Sequence, residues 1–309
     1  MAGKPDLTGL CDRKVEPLNA EYSGRIVATK LPNPQDPKNF EPKEIAMKRR
    51  CRLLLQIALL IPTLTMAQSV FDGTWKADLT SAKFPQKPDE YLLKDGTYQC
   101  KTCVPPIQVK ADGQDQKVTG QPYYDAVSIK VVDDRTIEEV DKKNGKTVAT
   151  SKTWVSPDGN TLMFEFSDSS ATNADPVTGK GSETRVSKGP AGSHAISGSW
   201  RMAKMESLSE NGLVITYKVT GDSLTMSTMN GQGYTAKLDG TEAPYKGDPG
   251  TTSVSVKKIS DHALEETDKR DGKVISVARL TASADGKTMK IAIDDKLHGT
   301  QSEFTATKQ

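Results

Sequence analysis

AVSIKVVDDRTIEEVDKKNGKTV, residues 126–148, returns as SVSVKKISDHALEETDKRDGKVI, residues 253–275, 127 positions later and with the same punctuation. Val127, Ile129 and Val131 alternate with Ser128 and Lys130, and Val254 and Val256 repeat the pattern in the second copy. A period of two marks a strand with one buried face. Asn144-Gly145 and Asp271-Gly272 then supply hairpin turns, because the positive φ of a two-residue loop is easiest for Gly and tolerable for Asn or Asp. The stretch therefore reads strand, turn, strand, and does so twice.

The likeness extends in both directions. SPDGNTLMFEFSD (156–168) matches SADGKTMKIAIDD (283–295) at the same offset, and FDGTW (71–75) recurs as ISGSW (196–200) at an offset of 125. About eight short strands fall in each copy, with no amphipathic helical pattern between them. Evenly spaced strands joined by tight turns must close or stack to bury their apolar face. The expected fold is all-β: two tandem antiparallel meander modules, each a small barrel, with a sandwich as the alternative. Module one is placed at 68–188 and module two at 189–309, joined through the Gly-, Pro-, Ser- and Thr-rich stretch 172–195. Trp75 and Trp200 hold the same place in the opening strands and are expected to anchor their own modules. Trp154, replaced by Thr281 in the second copy, is expected to matter less.

Ahead of the repeats, Lys48, Arg49, Arg50 and Arg52 precede an apolar run from Leu53 to Leu64, followed by Thr65-Met66-Ala67. This is the layout of a secretory signal peptide over 47–67, cleaved between Ala67 and Gln68. The run contains Gln56 and Pro62 and falls short of the ~20 residues a spanning helix needs, so no stable membrane span is expected after signal removal. Residues 1–46 read as a disordered extension or as the product of a misassigned start, with Met47 the true initiator. The mature chain is then secreted or periplasmic.

The first 67 residues carry 11 basic and 7 acidic side chains, and the rest carry 31 and 33. A nearly neutral mature chain lacks the basic stripe that phosphate neutralisation requires, so nucleic acid is not an expected partner.

Phe71-Asp72-Gly73-Thr74-Trp75, followed by hairpins with NGK and DGN turns, resembles the calycin group, the lipocalins and fatty-acid-binding proteins. The resemblance implies an antiparallel barrel plugged at one end by a Gly-x-Trp strand, with a small apolar ligand inside. The chain departs from the group in having no helix pair after its first strand and in ending on Phe304-Thr305-Ala306-Thr307 in place of Arg-x-Tyr.

Candidate site residues are few. Cys100 and Cys103, the cysteines left after export, form a lone CKTC for which a disulfide is the leading reading in an oxidising compartment. A redox thiolate needs a helix N-terminus that the flanking TYQ and VPP do not suggest, and zinc needs further ligands that are absent. His194, His262 and His298 are isolated in loop-like sequence, and no catalytic motif or cofactor-binding loop appears. Glu138-Glu139 beside Lys152, and Glu265-Glu266 beside Arg279, flank the two hairpin turns. With a two-residue turn, Glu139 and Lys152 share a face with Val148; a three-residue loop with a Gly bulge shifts the pairing by one and puts Glu138 there instead. Glu139, Lys152, Glu266 and Arg279 could orient a ligand inside a barrel, or be solvent-facing cross-strand pairs. The functional expectation is a non-catalytic exported protein without a cofactor, binding an unknown small apolar or amphipathic molecule. The alternative is a secreted protein-interaction or inhibitor module without a ligand cavity.

Overall fold

A computed structural model describes residues 68–170 and 175–309. The signal segment, the extension before it and Ala67 of the expected cleavage site lie outside the described residues.

In chain order the elements are β1 (Gly73–Lys83), β2 (Asp89–Lys94), β3 (Thr97–Cys100), β4 (Ile107–Lys110), β5 (Gln116–Lys117), β6 (Ala126–Asp133), β7 (Thr136–Lys143), β8 (Lys146–Val155), β9 (Thr161–Asp168), β10 (Val177–Lys188) and β11 (Gly198–Leu208). A single helical turn, α1 (Glu210–Leu213), leads into β12 (Val214–Thr220), β13 (Ser223–Thr228), β14 (Gly233–Lys237), β15 (Asp239–Pro244), β16 (Ser253–Ser260), β17 (Ala263–Arg270), β18 (Lys273–Ala282), β19 (Thr288–Asp295) and β20 (Thr300–Lys308). The fold is all-β, as the alternation predicts, with ten strands in each sheet where about eight were expected.

Each sheet is antiparallel and curls until its edges nearly meet, giving a barrel and not a sandwich. One runs β4-β3-β2-β11-β10-β9-β8-β7-β6-β5, the other β14-β13-β12-β1-β20-β19-β18-β17-β16-β15. The first closes through a bridge between Asp112 and Lys130, the second through one between Gly233 and Lys246. Closure leaves few unpaired edge groups.

The barrels do not coincide with the sequence repeats. Strand β11 opens the second repeat, yet it pairs with β10 and β2 of the first; β1 opens the first repeat, yet it pairs with β12 and β20 of the second. One barrel is thus a contiguous stretch of chain, β2 to β11. The other is composite, β1 completed by β12 to β20.

The expectation that each tryptophan anchors its own repeat is corrected accordingly. Trp200 is fully buried among Leu93, Ile129 and Leu162 of the first repeat, and Trp75 among Leu224, Leu264 and Met289 of the second. Each indole N–H donates to the carbonyl four residues earlier, Trp75 to Phe71 at 2.8 Å and Trp200 to Ile196 at 2.7 Å. A cation from the closing strand covers each ring, Arg185 at 3.8 Å from the Trp200 centroid and Lys308 Nζ at 4.8 Å from that of Trp75. The residue before each opening glycine ties the exchanged strand in place. Asp72 accepts the Val219 N–H at 2.6 Å, and Ser197 accepts that of Leu93 at 2.9 Å. Because Phe-Asp-Gly-Thr-Trp and Ile-Ser-Gly-Ser-Trp offer the same groups at the same spacing, either opening strand meets the demands of either barrel.

Candidate functional site

The side-chain faces of the long hairpins are decided near their turns. Asn144 and Gly145 take φ of +50° and +76°, and Asp271 and Gly272 +50° and +78°, so both loops have two residues. Lys143 then faces Lys146, but Asp141 faces Ala149, because Val148 is bulged out of the ladder; in the second hairpin Asp268 faces Ser276 and Ile275 is skipped. One extra residue on one strand turns every later pair by one. Glu138 therefore faces Lys152, Glu265 faces Arg279, and Glu139 and Glu266 face Ser151 and Ala278.

This divides the four charges named from the sequence. Lys152 and Arg279 lie on the outer, exposed faces. Arg279 sits 3.6 Å from Glu265, and the Lys152 ammonium lies 6.0 Å from the Trp154 ring. The structure does not bring them to Glu139 or Glu266. Those two share the inward face with Ile137 and Leu264, and with a second acid two residues on, Asp141 and Asp268, as a period of two requires. The sequence reading missed these aspartates.

Inward residues near each tryptophan are dry: Ile129 and Trp200 are 0% exposed, Leu162 and Met289 2% and 0%. Further from the tryptophan, inward Glu139, Asp141, Ser151 and Phe166 are only half-buried. The contiguous barrel is thus buried at the tryptophan end and partly exposed towards the other, where its carboxyl pair stands; in the composite barrel Glu266 is buried and Asp268 half-buried. Burial, with Asp141 beside it, pushes the Glu139 carboxyl well above its ordinary range; burial and Asp168 do the same to Asp141. Glu266 is raised by burial and then by Asp268, and Asp268 by burial.

The two pairs are provided for differently. In the composite barrel Tyr234 donates to Glu266 Oε2 at 2.5 Å and Ser276 to Asp268 Oδ2 at 2.7 Å. In the contiguous barrel Ile107 occupies the register position of Tyr234, and Ala149 that of Ser276. Asp141 Oδ1 is buried without a hydrogen-bond partner, as is its counterpart Asp268 Oδ1. A further acid, Glu183 on β10, points inward opposite Leu162, where the composite barrel has Ala306 opposite Met289. Glu183 is 7% exposed, its Oε2 has no partner, and burial, with Asp89 adding, pushes its pKa up to about 7.

Aromatic rings line the contiguous barrel. Tyr91 and Tyr98 stack with centroids 6.4 Å apart, and Phe164 and Phe166 at 6.5 Å. Opposite the two phenylalanines stand Gly181 and Gly179, where an added Cβ would come within 2.5 and 2.6 Å of the rings. The composite barrel reverses the sizes at the first of these pairs, Ile291 with Phe304, and keeps them at the second, Ile293 with Ser302.

Cys100 and Cys103 form the disulfide, on the edge of β3 and in the loop after it. The histidines stand in three separate loops; His194 Nε2 meets the Asp133 carbonyl at 2.6 Å and His298 Nδ1 meets Asp295 at 2.6 Å. Among the described residues no three His, Cys, Asp or Glu side chains converge closely enough to hold a metal ion, and no helix is long and apolar enough to cross a membrane. No protein-family model matches the chain, and no curated protein sequence is similar to it.

Proposed function

We propose that this chain is an exported, non-catalytic binding protein whose barrels take small amphipathic molecules in the manner the calycin resemblance implies. The observation that carries the reading is the inner face of the contiguous barrel, where half-buried ionisable groups stand beyond a dry apolar floor. Polar groups placed inside a barrel without partners cost stability unless something completes them. Ligand pockets combine an apolar lining with a few polar groups in this way. The basic cluster and apolar run at 48–64 support export to an oxidising compartment, and the Cys100–Cys103 disulfide accords with it. The near-neutral charge of the mature chain supports a partner other than nucleic acid.

A protein-interaction role without an internal ligand is the second reading. It is favoured by a groove of about 550 Å³ on the outer face of the contiguous barrel, crossed by the alternating charges Glu138, Lys152, Glu165 and Lys180. Mass spectrometry of the intact protein, released from its native host under non-denaturing conditions, separates the two. A co-purifying small molecule lost on denaturation is expected; a ligand-free protein that arrives with a stoichiometric protein partner would favour the second.

A further inference from the structure

The unequal treatment of the two carboxyl pairs points to a ligand charge. Among the described residues no lysine or arginine forms an ion pair with Glu139, Asp141 or Glu183; Lys142, the nearest in sequence, turns outward to Asp115 at 2.7 Å. Glu139, Asp141 and Glu183 thus have no paired cation, and Arg185, two residues from Glu183, is taken up over the Trp200 ring by the Ser197 and Ala195 carbonyls. Glu183 is the most telling of them. It is more than nine-tenths buried, unpartnered at Oε2, and faces inward opposite Leu162.

An unpartnered acid in an apolar wall is costly. The composite barrel avoids part of that cost with Tyr234, Ser276 and Ala306, though Asp268 Oδ1 stays unpartnered. The contiguous barrel has Ile107, Ala149 and Glu183 in those places, and stacked aromatic rings elsewhere on its inner face. Carboxylates repel anions, so the charge that completes such a site is positive. A bare metal ion needs several ligands converging on one point, and these acids do not converge. An organic ammonium asks less: one or two carboxylates at hydrogen-bond distance, aromatic faces against its N–CH groups, and apolar surface for its body.

Resting on the binding reading above, we infer that the contiguous barrel binds a small organic ammonium compound, its cation at the Glu139–Asp141 pair and its apolar body against Phe164 and Phe166, with Glu183 a further negative group deeper in the same barrel. The composite barrel, where Tyr234 and Ser276 already donate to the equivalent pair, is the weaker site for such a ligand.

Calorimetric titration of the intact protein at pH 8 with octylammonium, 1-octanol and octanoate tests this. Octylammonium should bind about tenfold or more tighter than octanol, as one charge-assisted hydrogen bond implies, and octanoate should bind weakest. Glu139→Gln should remove that tenfold advantage, and Glu183→Gln about threefold of it, while both leave octanol binding within about twofold and so report a folded barrel. Glu266→Gln should leave the tight site unchanged. If octanol or octanoate binds at least as tightly as the ammonium, or if the two contiguous-barrel variants keep its full advantage, the cation assignment fails while internal binding stands. If none of the three probes binds, both fail.

Discussion

The two barrels share strand order, a tryptophan plug and a Glu-x-Asp pair, yet one gives each acid of that pair a hydroxyl donor and the other gives neither. Tyr234 and Ser276 donate to Glu266 and Asp268 in the composite barrel, leaving Asp268 Oδ1 alone, whereas Ile107 and Ala149 stand in those places in the contiguous one, and Glu183 adds an acid where the composite barrel has Ala306. Three differences at equivalent positions thus set the two interiors apart.

The largest effect that can break this comparison concerns the plugs. Trp200→Ala and Trp75→Ala should each cost ~3–5 kcal/mol, because each empties a fully buried site. The loss should cross over: Trp200→Ala should unfold the barrel containing the rest of repeat one, and Trp75→Ala that containing the rest of repeat two. Amide hydrogen exchange, resolved by residue, reads which barrel opens. Loss of protection in the tryptophan's own repeat would contradict the strand pairing.

Acidity should sharpen the contrast between the interiors. Glu183 has a folded pKa raised to about 7 from 4.5, so between those values the unfolded chain ionises it and the folded chain does not. Unfolding then releases a proton, and stability falls as pH rises from about 4.5 to 7, by on the order of 3 kcal/mol for this group. Glu183→Gln should flatten that part of the pH profile, measured by urea unfolding from pH 4 to 8. A profile that the variant leaves unchanged would show that Glu183 is not the buried acid described.

Core volumes offer a third contrast. Gly181→Ala should destabilise the contiguous barrel by ~1–3 kcal/mol, because the new methyl meets the Phe164 ring and the Lys204 carbonyl at 2.5 and 2.8 Å. Adding Phe164→Ile, the residue of the equivalent position, should recover part of the loss in a double-mutant cycle. The smallest effect belongs to the outer charges. Lys152→Ala and Arg279→Ala should each change stability by about 0.5 kcal/mol or less, since their partners are solvent-exposed.

Much of the fold was legible because its signals are local. Alternation at Val127 to Val131, the Asn144-Gly145 and Asp271-Gly272 turns and the buried Gly-x-Trp strands all come from a few neighbouring residues. Which barrel each opening strand joins was not legible, since FDGTW and ISGSW fit either equally and the choice lies in long-range pairing. The inward acids were half legible. The register turned on bulges at Val148 and Ile275 that no turn residue announces, which is why Lys152 and Arg279 were grouped with Glu139 and Glu266. Yet Ile137-x-Glu139-x-Asp141 and Leu264-x-Glu266-x-Asp268 alternate from an apolar residue, and following that period would have placed both aspartates on the inner face. Glu183 carried no such signal, because its counterpart is an alanine.

Strand exchange underlies every assignment to one barrel or the other, and a cross-link tests it most directly. Thr74 on β1 pairs with Thr216 on β12, their hydroxyls 3.1 Å apart, while the equivalent Ser199 on β11 pairs with Glu90 on β2. Thr74→Cys with Thr216→Cys should therefore form an intramolecular disulfide on mild oxidation, seen as a linked peptide pair in the monomer, and Thr74→Cys with Glu90→Cys should not. A monomer in which Thr74→Cys links to Glu90→Cys and not to Thr216→Cys would mean that each repeat closes on its own opening strand, and strand exchange would be contradicted.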